Sequence, residues 1–302
     1  MTADAAIGAC RLCPRRCGAF RPARGSGDGF CGLPALPGVC RAEKHFWEEP
    51  PISGTNGSGT IFFSGCVLRC EYCQNSAISR KSCGTVVDEN GLIELIKKLE
   101  SQGVHNINLV SPTPYYPIIR RALERYKPAV PVVCNTGGYE RAETLKSMEG
   151  LIDVYLPDYK YSRSETAKKY SEAADYPQAA AEASTEMCRQ VGAPVYDENG
   201  IIQKGLLVRH LVLPGSVENS LGVLDWIDDH LPKSVPVSLM AQYFPTGHEI
   251  HPELSRRITP EEYDQVVNYM LLLGRDNGFC QEPEAADSRY VPDWNMMKEK
   301  SE

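Results

Sequence analysis

Three cysteines, Cys66, Cys70 and Cys73, follow one another at C-x3-C-x2-C spacing, directly after a strand-like run at 60–65 (TIFFSG). Thiolates this close on a short loop can ligate three irons of a [4Fe–4S] cube and leave the fourth iron without a protein ligand. The next cysteine, Cys83, stands ten residues on, and nothing in the spacing requires it to ligate. An iron with a free position can bind a substrate, so an incomplete set points to chemistry rather than electron storage. Zinc is the usual competitor at such spacing, but it favours four ligands, and no histidine lies nearer than His45 or His105. A disulfide framework suits a small secreted chain, whereas these 302 residues carry 12 cysteines bunched towards one end.

A second set opens the chain: Cys10-x2-Cys13-x3-Cys17, then Cys31 and Cys40, among many Gly, Pro and Arg residues. Residues 1–59 show little hydrophobic periodicity and bury little core alone, so a metal staple is expected there. Cys10, Cys13, Cys17 and Cys31 are the expected ligands, with Cys40 as a substitute. Their spacing suits tetrahedral zinc and a closed iron–sulfur cluster equally, a structural zinc is the expectation preferred, and reduced thiols without a metal are the plain alternative.

The elements that must position the central loop read as serial βα units. Strand-like segments fall at 60–65, 106–110, 132–134, 152–156, 206–213 and 235–243. Asp88 is expected to cap a helix with Leu92, Ile96 and Leu99 on its inner face, and Pro117 to open the next. Helices are also expected at 140–148, 164–172, 178–191 and 221–230, and Thr259-Pro260-Glu261-Glu262 has the form of a capping box for a last one. The Asp197–Gly200 turn joins two short β segments. Six strands, each followed by helix, imply a parallel sheet with right-handed crossovers. The expected fold is α/β: a partial (β/α)6 TIM-like barrel over 60–275, with a small cysteine-rich N-terminal extension (1–59) and a C-terminal tail (276–302). Active sites of such barrels lie at the C-terminal ends of the strands, where the Cys66–Cys73 loop falls. The linking stretch 45–54 (HFWEEPPISG) either lines the barrel mouth or caps its N-terminal face.

The stretch 66–75 (CVLRCEYCQN) resembles the signature loop of the radical S-adenosylmethionine (SAM) superfamily, in which an aromatic residue, here Tyr72, precedes the last cysteine. The resemblance implies a [4Fe–4S] cluster on Cys66, Cys70 and Cys73 whose open iron chelates SAM. Reductive cleavage then yields a 5′-deoxyadenosyl radical for hydrogen abstraction. Later segments resemble the glycyl-radical-enzyme activases, the subfamily of pyruvate formate-lyase activating enzyme. Asn135 and Thr136 fall on an Asp-Thr-Asn-Gly segment, Asp158 and Lys160 on Asp-x-Lys, and Arg209 with Pro214-Gly215 on Arg-x-x-x-x-Pro-Gly. The resemblance covers roughly 60 to 275 and implies SAM contacts from these residues and from Asn75. Two departures stand out. The Gly-Gly-Glu after strand two is replaced by Val110-Ser111-Pro112-Thr113-Pro114, leaving backbone carbonyls or the Thr113 hydroxyl to receive the SAM amino group. Asn135 in place of aspartate removes a charge where the activases hold a monovalent cation, so that ion is not expected. At the end of strand six, Gln242, Tyr243 and His248 face the expected substrate side; Tyr243 would relay an electron or proton and His248 would act as acid or base.

Net charge is −7 with a pI near 5.5, and no basic run stands out. This argues against nucleic acid or an acidic membrane as partner. No stretch approaches the ~20 apolar residues of a spanning helix, and the start shows no export signal, so a reducing cytoplasm is expected. The expected partners are a reductant such as flavodoxin or ferredoxin and a glycyl radical enzyme as substrate. A small molecule or peptide is the alternative substrate, and a non-catalytic iron–sulfur electron carrier the alternative of a different class.

Overall fold

The computed structural model describes residues 6–245, 247, 249–282 and 294. The apolar run that precedes the cysteine loop forms β2 (Ser58–Phe63), buried along its whole length. Beside it β1 (Gly38–His45) runs antiparallel, with a bulge between Val39 and Arg41. The short β3 (Thr85–Val86) pairs with the start of β1. On the other side of β2 come β4 (Ile107–Val110), β5 (Val132–Thr136) and β6 (Val154–Pro157), each parallel to its neighbour. Such strands are covered on both faces, which explains their nearly continuous apolar runs.

β7 (Val195–Tyr196) and β8 (Ile202–Leu206) form a hairpin. The Asp197 carboxylate shapes its turn by accepting the N–H groups of Asn199 and Ile201. β8 lies parallel to β6, and the chain then passes Leu207 into β9 (Val208–Leu211). β9 stays beside β6 through the Asp158–Arg209 bridge, where the Tyr159 N–H donates to the Arg209 carbonyl at 2.7 Å. β10 (Val237–Met240) and β11 (Phe279–Cys280) continue the parallel order. The result is an α/β fold with a mostly parallel sheet.

The helices bury the faces that their spacing marks. In Glu89–Glu100, Leu92, Ile93, Ile96 and Leu99 are buried and the Asp88 side chain accepts the Gly91 N–H. Tyr116–Arg125 buries Ile118, Ile119, Ala122 and Leu123. Pro260–Leu272 opens with the full Thr259–Glu262 capping box. Among the described residues no helix is long and apolar enough to cross a membrane.

The structure carries residues 38–45, assigned from sequence to the extension, into the sheet. Only the first two residues of β1 are buried, so the strand gives no alternation for a sequence reading to catch. After β1 the helical turn Pro50–Ser53 brings Ile52 into one apolar cluster with Val133, Val154 and Leu207, at the N-terminal ends of the parallel strands. That plug carries Glu48 and Glu49 into the interior.

Candidate active site

The loop after β2 begins at Gly65, whose φ is +78° and whose absent Cβ would stand 2.3 Å from the Leu33 side chain. Only glycine meets both demands, and the turn delivers Cys66, Cys70 and Cys73 to the C-terminal ends of the strands. Each sulfur has a polar neighbour. The Leu68 N–H donates to Cys66 at 3.4 Å, the Ser171 hydroxyl donates to Cys70 at 3.0 Å, and Cys73 lies 3.3 Å from the Ser79 hydroxyl. Burial pushes the Cys66 thiol up to about 12, and it raises that of Cys70 against the pull of Lys160. Thiols that resist ionisation in this way ionise when a metal binds in place of their protons.

Cys70 and Cys73 open onto a cavity of about 210 Å³ at these strand ends. Of the residues singled out in the sequence, Tyr72, Asn75, Asn135, Asp158, Lys160 and Arg209 line it as well. Asp158 and Lys160 form a half-buried ion pair at 2.6 Å, with side chains 18% and 13% exposed, so they are not a solvated surface pair. Arg209 spreads its guanidinium over three partners: Asp158 at 2.8 Å, Asn135 at 2.6 Å and Glu48 at 3.0 Å. Burial alone would raise the Asp158 carboxyl, but Arg209 and Lys160 outweigh it and hold it below its ordinary value. Burial raises Glu48 despite the nearby Arg209, and it raises Glu49 as well.

Glu48 and Glu49 are the acids that the sequence left undecided, and both line the cavity. Glu48 receives N–H bonds from Asn108 and Asn135 at 3.0 and 3.1 Å. One oxygen of Glu49, Oε2, is buried without a hydrogen-bond partner among the described residues. Trp47, 58% exposed, stands at the lip.

Other expected residues lie beside the cavity rather than on it. The Thr113 hydroxyl donates to Glu140 Oε1 at 2.7 Å, and the Thr136 hydroxyl accepts the Gly138 N–H at 2.9 Å. Glu140 thus supplies a buried carboxylate beneath the loop after β4, where the local sequence has none. No local spacing announces it, because 27 positions separate it from Thr113. The Tyr243 hydroxyl donates to the Leu254 carbonyl, and its ring meets Tyr72 edge-on at 6.4 Å. Tyr72 also meets Tyr161 and Tyr170 edge-on, making an aromatic base under the loop. Gln242 lines the cavity, and its carbonyl accepts from Gln74 in the cysteine loop. His248 lies outside the described residues.

In the amino-terminal segment, Cys10, Cys13, Cys17 and Cys31 surround a separate small cavity. Cys40 is not among them; its sulfur lies 3.1 Å from that of Cys83. Among the described residues, no three His, Cys, Asp or Glu groups are drawn close enough to grip a single metal ion. The residues around Cys66, Cys70 and Cys73 fit an iron–sulfur cluster: three thiols on one loop, each with a polar neighbour, beside a cavity with room for a further ligand.

The family model described as the radical SAM superfamily matches residues 60–224. The uncharacterized protein MJ0674 of Methanocaldococcus jannaschii is 26% identical over 268 residues, spanning 85% of this chain and 73% of that protein. Among solved structures, Streptococcus suis SuiB bound to precursor peptide SuiA is similar at a TM-score of 0.51 and 13% identity, over 72% of this chain and 47% of that one. This chain therefore spans about half of SuiB. Methylornithine synthase (PylB) is similar at a TM-score of 0.49 and 14% identity, over 78% of this chain and 72% of that one.

Proposed function

The chain belongs to the radical SAM superfamily, and from that membership we propose a SAM-cleaving enzyme that abstracts hydrogen from a protein glycine, in the manner of the glycyl-radical-enzyme activases. The family implies a [4Fe–4S] cluster and SAM, which together supply one-electron cleavage of the sulfonium and a radical able to take a hydrogen atom. The observation that carries the reading is the meeting of the cysteine loop and the Asp158–Lys160–Arg209 network in one cavity.

In this reading Cys66, Cys70 and Cys73 would hold the cluster. Asn135, Asp158, Lys160 and Arg209 would form the polar wall towards SAM, while Tyr72 and Asn75 close the side next to the loop. The ion pairs fix the wall before any ligand arrives, so little ordering cost remains for binding. The aromatic base of Tyr72, Tyr161, Tyr170 and Tyr243 keeps water from beneath the loop. We read β2, β4, β5, β6, β9 and β10 as the six strands of a partial (β/α)6 barrel and the first residues as its cysteine-rich extension. A flavodoxin or ferredoxin in a reducing cytoplasm would be the electron donor.

A second reading, a small molecule or peptide as substrate, has its own support. The interior is floored by the Pro50–Ser53 turn, and Glu49, which lines the cavity, has a buried oxygen without a hydrogen-bond partner among the described residues. That arrangement suits the donor end of a compact substrate.

The test is anaerobic: reconstitute with iron and sulfide, reduce with dithionite, add SAM and quantify 5′-deoxyadenosine. Product is expected from the wild type and lost on changing Cys66, Cys70 or Cys73 to Ala. Retained cleavage in those variants would sink the proposal. A glycyl radical signal on adding a glycyl radical enzyme would favour the first substrate reading over the second.

A further inference from the structure

Four cysteines of the amino-terminal segment, Cys10, Cys13, Cys17 and Cys31, ring a cavity of about 20 Å³. The chain is shaped to bring them there. The Cys10 N–H donates to the Ala19 carbonyl and the Gly18 N–H to the Cys10 carbonyl, folding the first three cysteines into a knuckle. Arg16 and Gly18 take positive φ within it. Gly29 lets Cys17 approach: a Cβ there would stand 3.0 Å from the sulfur.

A second observation points to an anion at the same place. Arg21 lines this cavity and is only 1% exposed. Its guanidinium donates to the carbonyls of Leu33, Pro34 and Pro114, and Nη1 lies 3.7 Å from Cys10 Sγ. No ion pair joins it to a carboxylate among the described residues. A buried cation with only neutral partners is costly, and an anionic centre on the four sulfurs would balance it.

The space beside the four sulfurs bears on which centre they hold. Zinc holds its sulfurs at about 2.3 Å, which puts four tetrahedral sulfurs roughly 3.8 Å apart and leaves no void among them. The space here exceeds the roughly 10–15 Å³ that one water needs. Nor are three of these sulfurs gathered tightly enough for a single ion. The same holds for Cys66, Cys70 and Cys73, on the loop whose family carries a [4Fe–4S] cluster. We propose that Cys10, Cys13, Cys17 and Cys31 hold a second iron–sulfur cluster, closed by four cysteines and balanced by Arg21. It would sit against the first: Val67 of the cysteine loop lines the same cavity, and Arg15 Nε donates to the Val67 carbonyl at 2.9 Å.

The experiment counts iron, sulfide and zinc in anaerobically reconstituted full-length protein. About eight irons and eight sulfides per chain are expected for the wild type, and about four of each for C66A/C70A/C73A. That triple variant should keep the charge-transfer absorption and a reduced-cluster electron spin resonance signal. Adding C13A and C31A should bring iron below one per chain. C17S alone changes the most exposed ligand and should alter the remaining signal even where the five-fold variant folds poorly. A folded triple variant without iron and sulfide, as judged by circular dichroism, overturns the proposal. One zinc per chain without sulfide also overturns it. Because the triple variant lacks the first centre, failure here is distinguishable from failure of SAM cleavage.

Discussion

Glu140 is 1% exposed, and Thr113 donates to one of its oxygens. Burial pushes its carboxyl from the ordinary 4.5 up to about 7. Between those values the folded chain holds a proton that the unfolded chain has lost. Stability from this group is therefore full below about 4.5, falls as pH rises through 7, and stays low above. Glu140→Gln keeps the acceptor for Thr113 and removes the charge. It should gain about 3 kcal/mol over wild type at pH 8 and little at pH 4.5, read from urea unfolding at the two pH values. Arg209 poses the opposite case. Arg209→Met would leave Glu48 and Asp158 facing each other in a buried site and should cost about 3–5 kcal/mol in guanidinium unfolding. What the sequence discloses at this scale is what is local. Cys66, Cys70 and Cys73 can be read because their partners are each other. Glu48 cannot, because it meets Arg209 across 161 positions and Asn135 across 87.

At the scale of elements, β1 and the segment leading into β3 meet through a close pair of thiols. Cys40 belongs to β1, Cys83 lies between the helical turn Ser76–Ser79 that follows the cysteine loop and β3, and their sulfurs are 3.1 Å apart. Gly84 permits the approach, since a Cβ there would stand 2.3 Å from the Val39 carbonyl oxygen. Oxidised glutathione should convert the pair to a disulfide, the two thiols giving up two electrons and two protons to the glutathione disulfide. Peptide mapping under non-reducing conditions should recover the Cys40–Cys83 cross-link, and Cys83→Ser should abolish it. The spacing allowed either cysteine to be a ligand; the antiparallel pairing of β1 explains why they face one another instead. Helices such as Glu89–Glu100 and Pro260–Leu272 were legible because caps and apolar periodicity are written in adjacent residues. β1 was not, since six of its eight residues are only half-buried and its partner is fixed by tertiary structure.

Over the whole molecule, the amino-terminal segment is held by residues far along the chain. Arg15 donates to the carbonyls of Val67, Ser171 and Glu172, and Thr144 donates to that of Leu12. Arg21 reaches Pro114. The sequence separations reach 157 positions, and closing such loops costs chain entropy before any contact rewards it. The order of assembly follows. On the ribosome the first residues emerge long before Ser171 and Glu172 exist, so the knuckle must wait for the sheet and the helix Ser164–Ser171 before it can dock. Hydrogen exchange during refolding should find the Cys10 and Gly18 amides protected after those of β4 and β5. Until then its thiols stay open to a donor of iron and sulfide, and docking of the segment would be the step that encloses the proposed second cluster.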